Sequence, residues 1–210
     1  MTHITIIGAT GFTGSHIARE AASRGHAVTG LSRNAPAEPL AGVTYISGVV
    51  TDGATLSEAI SDAEVVIAAL SPRGELAGNL LAAIQDIASR TSTAGARLVV
   101  IGGAGSLRVA PGGPRVADGD SMPAFLVEEA RQTAASVDWL EADAPEDLDW
   151  TFISPAFAFS PRDPGEATGS YTFAGNVAKF DSHISAPDFA SAVVDEIEQH
   201  EHHGHVSVYS

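Results

Sequence analysis

The chain contains no cysteine, a single lysine at position 179, and aromatic residues at only 6% of its 210 positions. Without cysteine there are no disulfides, thiolate zinc sites, iron–sulfur clusters or cysteine nucleophiles, a composition that fits a reducing compartment. Basic residues are scarce as well: 11 Lys and Arg stand against 26 Asp and Glu, a formal charge of −15. That balance repels phosphate backbones, and no cluster of basic residues with interleaved aromatics occurs, so nucleic acid is not an expected partner. The charge itself speaks to solubility rather than to fold. Long apolar runs are also missing: Val65 to Leu70 is only strand-sized, far from the roughly 18 residues that cross a bilayer, so no membrane partner is expected. The N-terminus enters a strand pattern within three residues and shows neither a basic n-region nor a small-residue cleavage site, from which a cytoplasmic location is expected. What is present is 44% hydrophobic residues in a chain long enough to bury roughly 70% of its unfolded surface, so one domain over residues 1–210 is expected, with no staple needed.

Short β-branched runs alternate with segments of helical spacing. His3 to Gly8 reads as a strand, Ser15 to Arg24 as a helix stopped by Gly25, and His26 to Leu31 as a strand again, which is one βαβ unit and implies a parallel sheet. The alternation continues with strands at Val43 to Ser47, Glu64 to Ala69, Arg97 to Ile101 and Trp150 to Ser154, and helices at Ala54 to Ser61, Glu75 to Thr93 and Ala124 to Leu140. Asp52 is placed to cap the second helix. Between Gly102 and Pro123 six glycines and three prolines predict a surface loop bordering the site. Residues 156–183 break the alternation and are expected to form a small irregular lobe that, with residues 103–122, contacts substrate. Ser185 and Asp188 have the spacing of a capping box before a last helix, and Val206 to Tyr209 supplies a last strand.

Directly after the first strand, Gly8-Ala9-Thr10-Gly11-Phe12-Thr13-Gly14 places glycines at positions one, four and seven of a turn that leads into a helix. Gly8 permits the sharp turn, Gly11 a close approach of backbone to a pyrophosphate, and Gly14 close packing of the helix on the sheet. The anion then meets free amides and the positive end of the helix dipole without needing a basic side chain, assisted by the Thr10 and Thr13 hydroxyls. The fold class predicted is α/β, a Rossmann-type doubly wound parallel sheet with a small irregular C-terminal substrate lobe. About twenty residues past the glycines, where a carboxylate would bind a ribose 2′-hydroxyl, the chain has Ser32-Arg33-Asn34 instead. A guanidinium and a hydroxyl suit a 2′-phosphate, so NADP(H) is the favoured cofactor, with NAD(H) left open if Arg33 is simply solvated.

Several segments together resemble the NADH-flavin reductase group of atypical short-chain dehydrogenase/reductases, NAD(P)H-binding proteins akin to the biliverdin-IXβ and flavin reductases, over nearly the whole chain. They are Ile7 to Gly14, Ser32-Arg33, Gly102-Gly103-Ala104-Gly105-Ser106-Leu107, Asp149-Trp150-Thr151-Phe152-Ile153-Ser154-Pro155-Ala156, and Ile184-Ser185 with Asp188-Phe189-Ala190. The resemblance implies that Leu70-Ser71-Pro72-Arg73 and Gly102 to Ser106 flank a nicotinamide. Two departures stand out. Relatives often have Gly-Asp near the adenine where this chain has Gly48-Val49, and many place Tyr-Lys where it has Phe125-Leu126-Val127.

Carbonyl reduction in this superfamily uses a Tyr acid with Lys four residues later. Four residues before Lys179 stands Gly175, so that proton donor is missing. Reduction of a flavin, quinone or similar planar small-molecule acceptor asks less, because hydride enters an electron-poor ring and solvent supplies the proton. On that reading Ser106 is the candidate at the catalytic face, Arg73 contacts an anionic acceptor or cofactor phosphate, and Pro155 and Phe157 line the pocket. A non-catalytic NAD(P)-binding sensor remains the rival reading, and a nucleotide-sugar epimerase or dehydratase the weakest. His200, His202, His203 and His205 invite a metal reading, but their place at the exit of the last helix predicts a surface cluster and no metal. Asp143, Glu146, Asp147 and Asp149 read as a solvated acidic loop. A homodimer is compatible with the sequence, in which no interface is identifiable.

Overall fold

The structure, a computed structural model, describes residues 1–210. Its strands are β1 (His3–Ile7), β2 (Ala27–Ser32), β3 (Val43–Ser47), β4 (Val65–Ala68), β5 (Arg97–Ile101), β6 (Trp150–Pro155), β7 (Thr172–Ala174) and β8 (Gly204–Tyr209). They form one eight-stranded sheet in the order β3-β2-β1-β4-β5-β6-β8-β7. All neighbours pair in parallel except β7 with β8. The helices are α1 (Phe12–Ser23), α2 (Gly53–Ile60), α3 (Leu80–Thr93), α4 (Ala124–Asp143) and α5 (Ala186–Gln199).

A strand turns successive side chains to opposite faces, and here both faces are covered. Ile4, Ile6, Ile67, Val99 and Ile153 point into one core with Ile17 and Ala21 of α1 and Phe189 and Val193 of α5. Ile7, Leu31, Val66, Leu98 and Phe152 point into the other, with Leu56 of α2, Ile84 and Ile87 of α3, and Val137 and Leu140 of α4. Burial on both faces is why the strands read as nearly continuous apolar runs. The predicted doubly wound parallel sheet is the architecture observed.

The boundaries that differ have local causes. Helix α1 starts at Phe12 rather than Ser15, because the glycine motif itself supplies the first turn. The segment expected as a helix from Glu75 is a 3-10 turn at Gly74–Leu76, a turn through Gly78, and a helix only from Leu80. The lobe of residues 156–183 is not wholly irregular, since Thr172–Ala174 adds the antiparallel edge strand β7.

The lobe is held to α5 by Asp188, which is 2% exposed. As expected, the Ser185 hydroxyl accepts from the Asp188 amide at 3.1 Å. The Asp188 carboxylate, instead of closing the capping box, accepts from the Thr168 and Gly169 amides at 2.9 Å and from the Thr168 hydroxyl at 2.8 Å. Burial pushes this carboxyl up, but those amide and hydroxyl donors outweigh it and hold it below the usual carboxylate range.

Candidate functional site: a cleft at the strand switch point

From β1 the chain crosses to β2 and β3 on one side and later returns to β4 on the other. Such a switch point leaves a crevice at the carboxyl ends of the strands, because the two connections depart in opposite directions. A cleft of about 370 Å³ lies there. It is lined by Ile7, Gly8, Thr10 and Gly11 after β1, Leu31, Ser32 and Arg33 after β2, Gly48 to Thr51 after β3, and Ala69, Leu70, Ser71, Arg73, Glu75 and Leu76 after β4.

The turn after β1 is built for close approach. Gly8 has φ +93°, and a Cβ there would overlap the carbonyl of Ala69, which follows the neighbouring strand β4. A Cβ on Gly14 would overlap the Gly8 carbonyl, so α1 packs against the turn only without a side chain at that position. The Gly8 amide donates to Leu31 O at 2.8 Å and the Gly11 amide to Gly8 O at 2.9 Å. Gly11 is the N-cap of α1, no side chain caps the helix, and its first turn carries no acidic residue. The amides of Phe12, Thr13 and Gly14 therefore head an uncapped helix, the arrangement that attracts an anion. Phe12 packs between His16 and Phe159, with ring centroids 5.3 and 5.4 Å away, and so braces this turn against the lobe.

Arg33 is exposed and makes no ion pair, whereas Ser32 is buried and its hydroxyl donates to Asn34 O at 2.9 Å. Arg73 is committed: its Nε and Nη2 fork onto Glu129 of α4 at 2.8–2.9 Å, tying the loop after β4 to that helix. Glu75, placed by its spacing in a helix, lines the cleft from the 3-10 turn, as Arg33 does from the loop after β2. Val50, Thr51 and Leu76 likewise line it without any motif that marks them. Gly48 and Val49, where a Gly-Asp pair was the pattern compared, line the cleft without a carboxylate, and the Asp52 carboxylate accepts from the Thr55 amide to cap α2.

Gly102 and Gly103 follow β5 and Pro155 ends β6, at the same edge of the sheet and outside this cleft. Gly102 packs on the Phe152 ring, which leaves no room for a side chain, whereas Gly103 is open. Phe157 packs against the exposed Phe180, with ring centroids 5.3 Å apart and the planes tilted by 57°. Ser106, expected at the catalytic face, is completely buried; its hydroxyl has no hydrogen-bond partner and does not line the cleft. The segment is drawn inward because the buried guanidinium of Arg115 donates to Ser106 O at 2.8 Å. The same Arg115 Nη1 approaches His205 Nδ1 at 3.1 Å, and His205 Nε2 lies 2.9 Å from Ser154 Oγ. Arginine only donates, so Nδ1 accepts and Nε2 carries the proton toward Ser154. Burial, reinforced by the charges of Arg115 and Arg108, pulls His205 down to about 3, a neutral structural imidazole.

The histidine run is therefore not one surface cluster. His205 is buried, and His202 stacks on Phe173 at 4.4 Å and reaches Glu196. The lone lysine is also engaged, its Nζ 4.5 Å over the Tyr209 ring, so no Tyr–Lys acid stands in the cleft. No helix is long and apolar enough to cross a membrane.

Residues 8–200 match the family model described as NAD(P)H-binding. The chain is 37% identical to the protein YwnB of Bacillus subtilis strain 168, over 95% of this chain and 93% of that protein. A crystal structure from Burkholderia pseudomallei, described as that of a "putative exported protein", superposes with TM-score 0.86 at 36% identity over 100% of both chains. One from Streptococcus pneumoniae TIGR4, described as a "putative NADH-flavin reductase", does so with TM-score 0.83 at 28% identity, again over 100% of both chains.

Proposed function

Because the chain belongs to the NAD(P)H-binding family, we propose that it is an NAD(P)H-dependent oxidoreductase that prefers NADP(H) and passes hydride to a flavin, quinone or similar planar acceptor. The observation that carries this reading is the cleft at the switch point, where an uncapped helix N-terminus and an unpaired Arg33 face one space. The glycine turn and the first amides of α1 hold the pyrophosphate. Arg33 takes the 2′-phosphate, a role that a carboxylate at this strand end would oppose. Leu70 and Ser71, with Gly102, Gly103 and Pro155 on the adjoining strand ends, border the nicotinamide. When bound, that ring supplies the hydride. The chain's own contribution is orientation and exclusion of water, consistent with the absence of an acid–base pair, and the proton comes from solvent. Likeness to a protein described as a "putative NADH-flavin reductase" favours a flavin-class acceptor.

The test is titration with NADPH and NADH, followed by NADPH oxidation in the presence of FMN, riboflavin and quinones. The expected outcome is tighter binding of NADPH and turnover with at least one acceptor. Arg33→Ala should weaken NADPH by about tenfold, near 1.4 kcal/mol, and leave NADH unchanged. Glu75→Gln should strengthen NADPH, since it removes a negative charge from a residue that lines the cleft. Binding without turnover favours a cofactor-sensing protein, the reading to which the burial of Ser106 lends weight. If neither dinucleotide binds, both readings are wrong.

A further inference from the structure

At the opposite end of the sheet from the cleft, three potential metal ligands converge. Asp149 immediately precedes β6, His200 ends α5, and His203 immediately precedes β8, the neighbour of β6. One ligand atom from each of the three lies within 4.8 Å of the others. His200 Nε2 is 2.8 Å from Asp149 Oδ2, His203 Nδ1 is 3.1 Å from Asp149 Oδ1, and the two imidazole centroids are 5.1 Å apart. The side chains of Asp149, His200 and His203 are 33%, 46% and 68% exposed, so water has access to complete a coordination sphere.

The turn that brings them together is built for this geometry. His200 is the chain's only non-glycine residue with positive φ, at φ 53° and ψ 50°. That is the helix C-cap conformation ordinarily given to glycine or asparagine, and histidine gains nothing from it locally. What it gains here is direction, because the left-handed turn aims the imidazole at Asp149. Beneath it, Glu196 accepts from the His202 amide at 3.1 Å and binds the His202 ring. With His202 pinned inward against Phe173, His200 and His203 are left on the outer side with the carboxylate. The one nearby competitor is Arg97, whose Nε stands 3.7 Å from Asp149 Oδ2, a distance longer than a hydrogen bond.

We propose that Asp149, His200 and His203 form a binding site for a borderline divalent transition-metal ion, of which Zn²⁺ and Ni²⁺ are the natural probes. Two imidazoles and one carboxylate select this class over Mg²⁺ or Ca²⁺, which take oxygen ligands, and three protein ligands leave open positions for water. A bound ion would replace the two imidazole–carboxylate contacts, taking a ring-nitrogen lone pair from each imidazole and one oxygen from the carboxylate. Its effect would be to staple the exit of α5 to the starts of β6 and β8. The net charge of −15 favours cation approach. At the far end of the sheet from the cleft, the ion would act on stability and not on hydride transfer.

The experiment uses the untagged full chain, stripped with EDTA and exchanged into chelator-free buffer, and titrated with ZnCl₂ and NiCl₂ by calorimetry. One site with micromolar affinity is expected. At a hundredfold excess over Kd, Tm should rise by roughly 5–10 °C, with no response to Mg²⁺. His200→Gly is the informative variant, because glycine adopts the left-handed conformation freely and the apoprotein stays folded. It and His203→Ala should each weaken binding at least tenfold and remove the Tm rise. The proposal is overturned if the wild-type chain takes up neither ion, or if both variants bind as tightly as the wild type.

Discussion

The two ends of the sheet treat their polar groups in opposite ways. At the carboxyl ends of β1, β2 and β4 the first amides of α1 are uncapped and Arg33 is unpaired. Under the amino ends of β5 and β6, Arg97 is buried and both of its terminal nitrogens are engaged: they donate to Glu196 Oε1 at 2.5 Å, Thr151 Oγ1 at 2.7 Å, and the carbonyls of Glu196 and His202 at 3.0 Å. The engaged end contributes order, while the open end keeps its hydrogen-bonding capacity for a ligand. A cluster rich in charge is therefore no guide to the site; the informative feature is donors that face the open cleft with nothing to donate to.

Four perturbations break or sharpen this contrast. Glu196→Ala should have the largest effect on stability, about 3–5 kcal/mol, because it leaves Arg97 buried without its carboxylate. Thermal unfolding measures it, and the dinucleotide Kd of the remaining folded protein should not change. Gly8→Ala acts at the other end: positive φ and overlap with Ala69 O cost on the order of 2–3 kcal/mol. Unlike the first variant, it should also abolish dinucleotide binding in a direct titration. If Gly8→Ala binds normally, the turn is not the phosphate cradle.

A smaller effect is expected from His205, which lies between the two ends. Its pKa is about 3 in the fold against an ordinary 6.5, so the unfolded chain takes the proton first. The stability tied to the neutral ring is therefore complete above pH 6.5 and is lost as pH falls from 6.5 toward 3, with a limiting slope of about 1.4 kcal/mol per pH unit. Urea unfolding in EDTA between pH 6.5 and 5, before carboxylates contribute, should show this slope, and His205→Gln should flatten it. The smallest effect belongs to Ser106→Ala. The buried hydroxyl has no partner, so its removal should leave stability unchanged or raised by up to about 1 kcal/mol, and turnover within about twofold. A loss of turnover of a hundredfold or more would show instead that this serine reaches the acceptor.

Much of the open end was legible in the chain. The glycine spacing, the β-branched runs around it and the Ser32-Arg33 pair are local in sequence and meet in the cleft, because each follows the carboxyl end of a parallel strand. Glu75 was not legible, since helical periodicity continues through residues 75–93 while the chain itself breaks at Gly78. Nor was the burial of Ser106, which depends on Arg115 and its carboxylate partners Asp138 and Glu141 on α4. The histidine run shows the same limit, because four similar residues within six positions were assigned three different environments by what packs around them.

The sequence by itself determined the alternation of strands and helices, the glycine turn that opens α1 and the absence of a Tyr–Lys acid. These depend on side-chain periodicity, on backbone freedom at glycine and on residue identity, all of which are local. Only the tertiary structure decided which polar groups stay free, turning Ser106 inward, committing Arg73 to Glu129, and bringing Asp149 to His200 and His203. Such pairings join residues from different elements of the fold, and no local pattern records them.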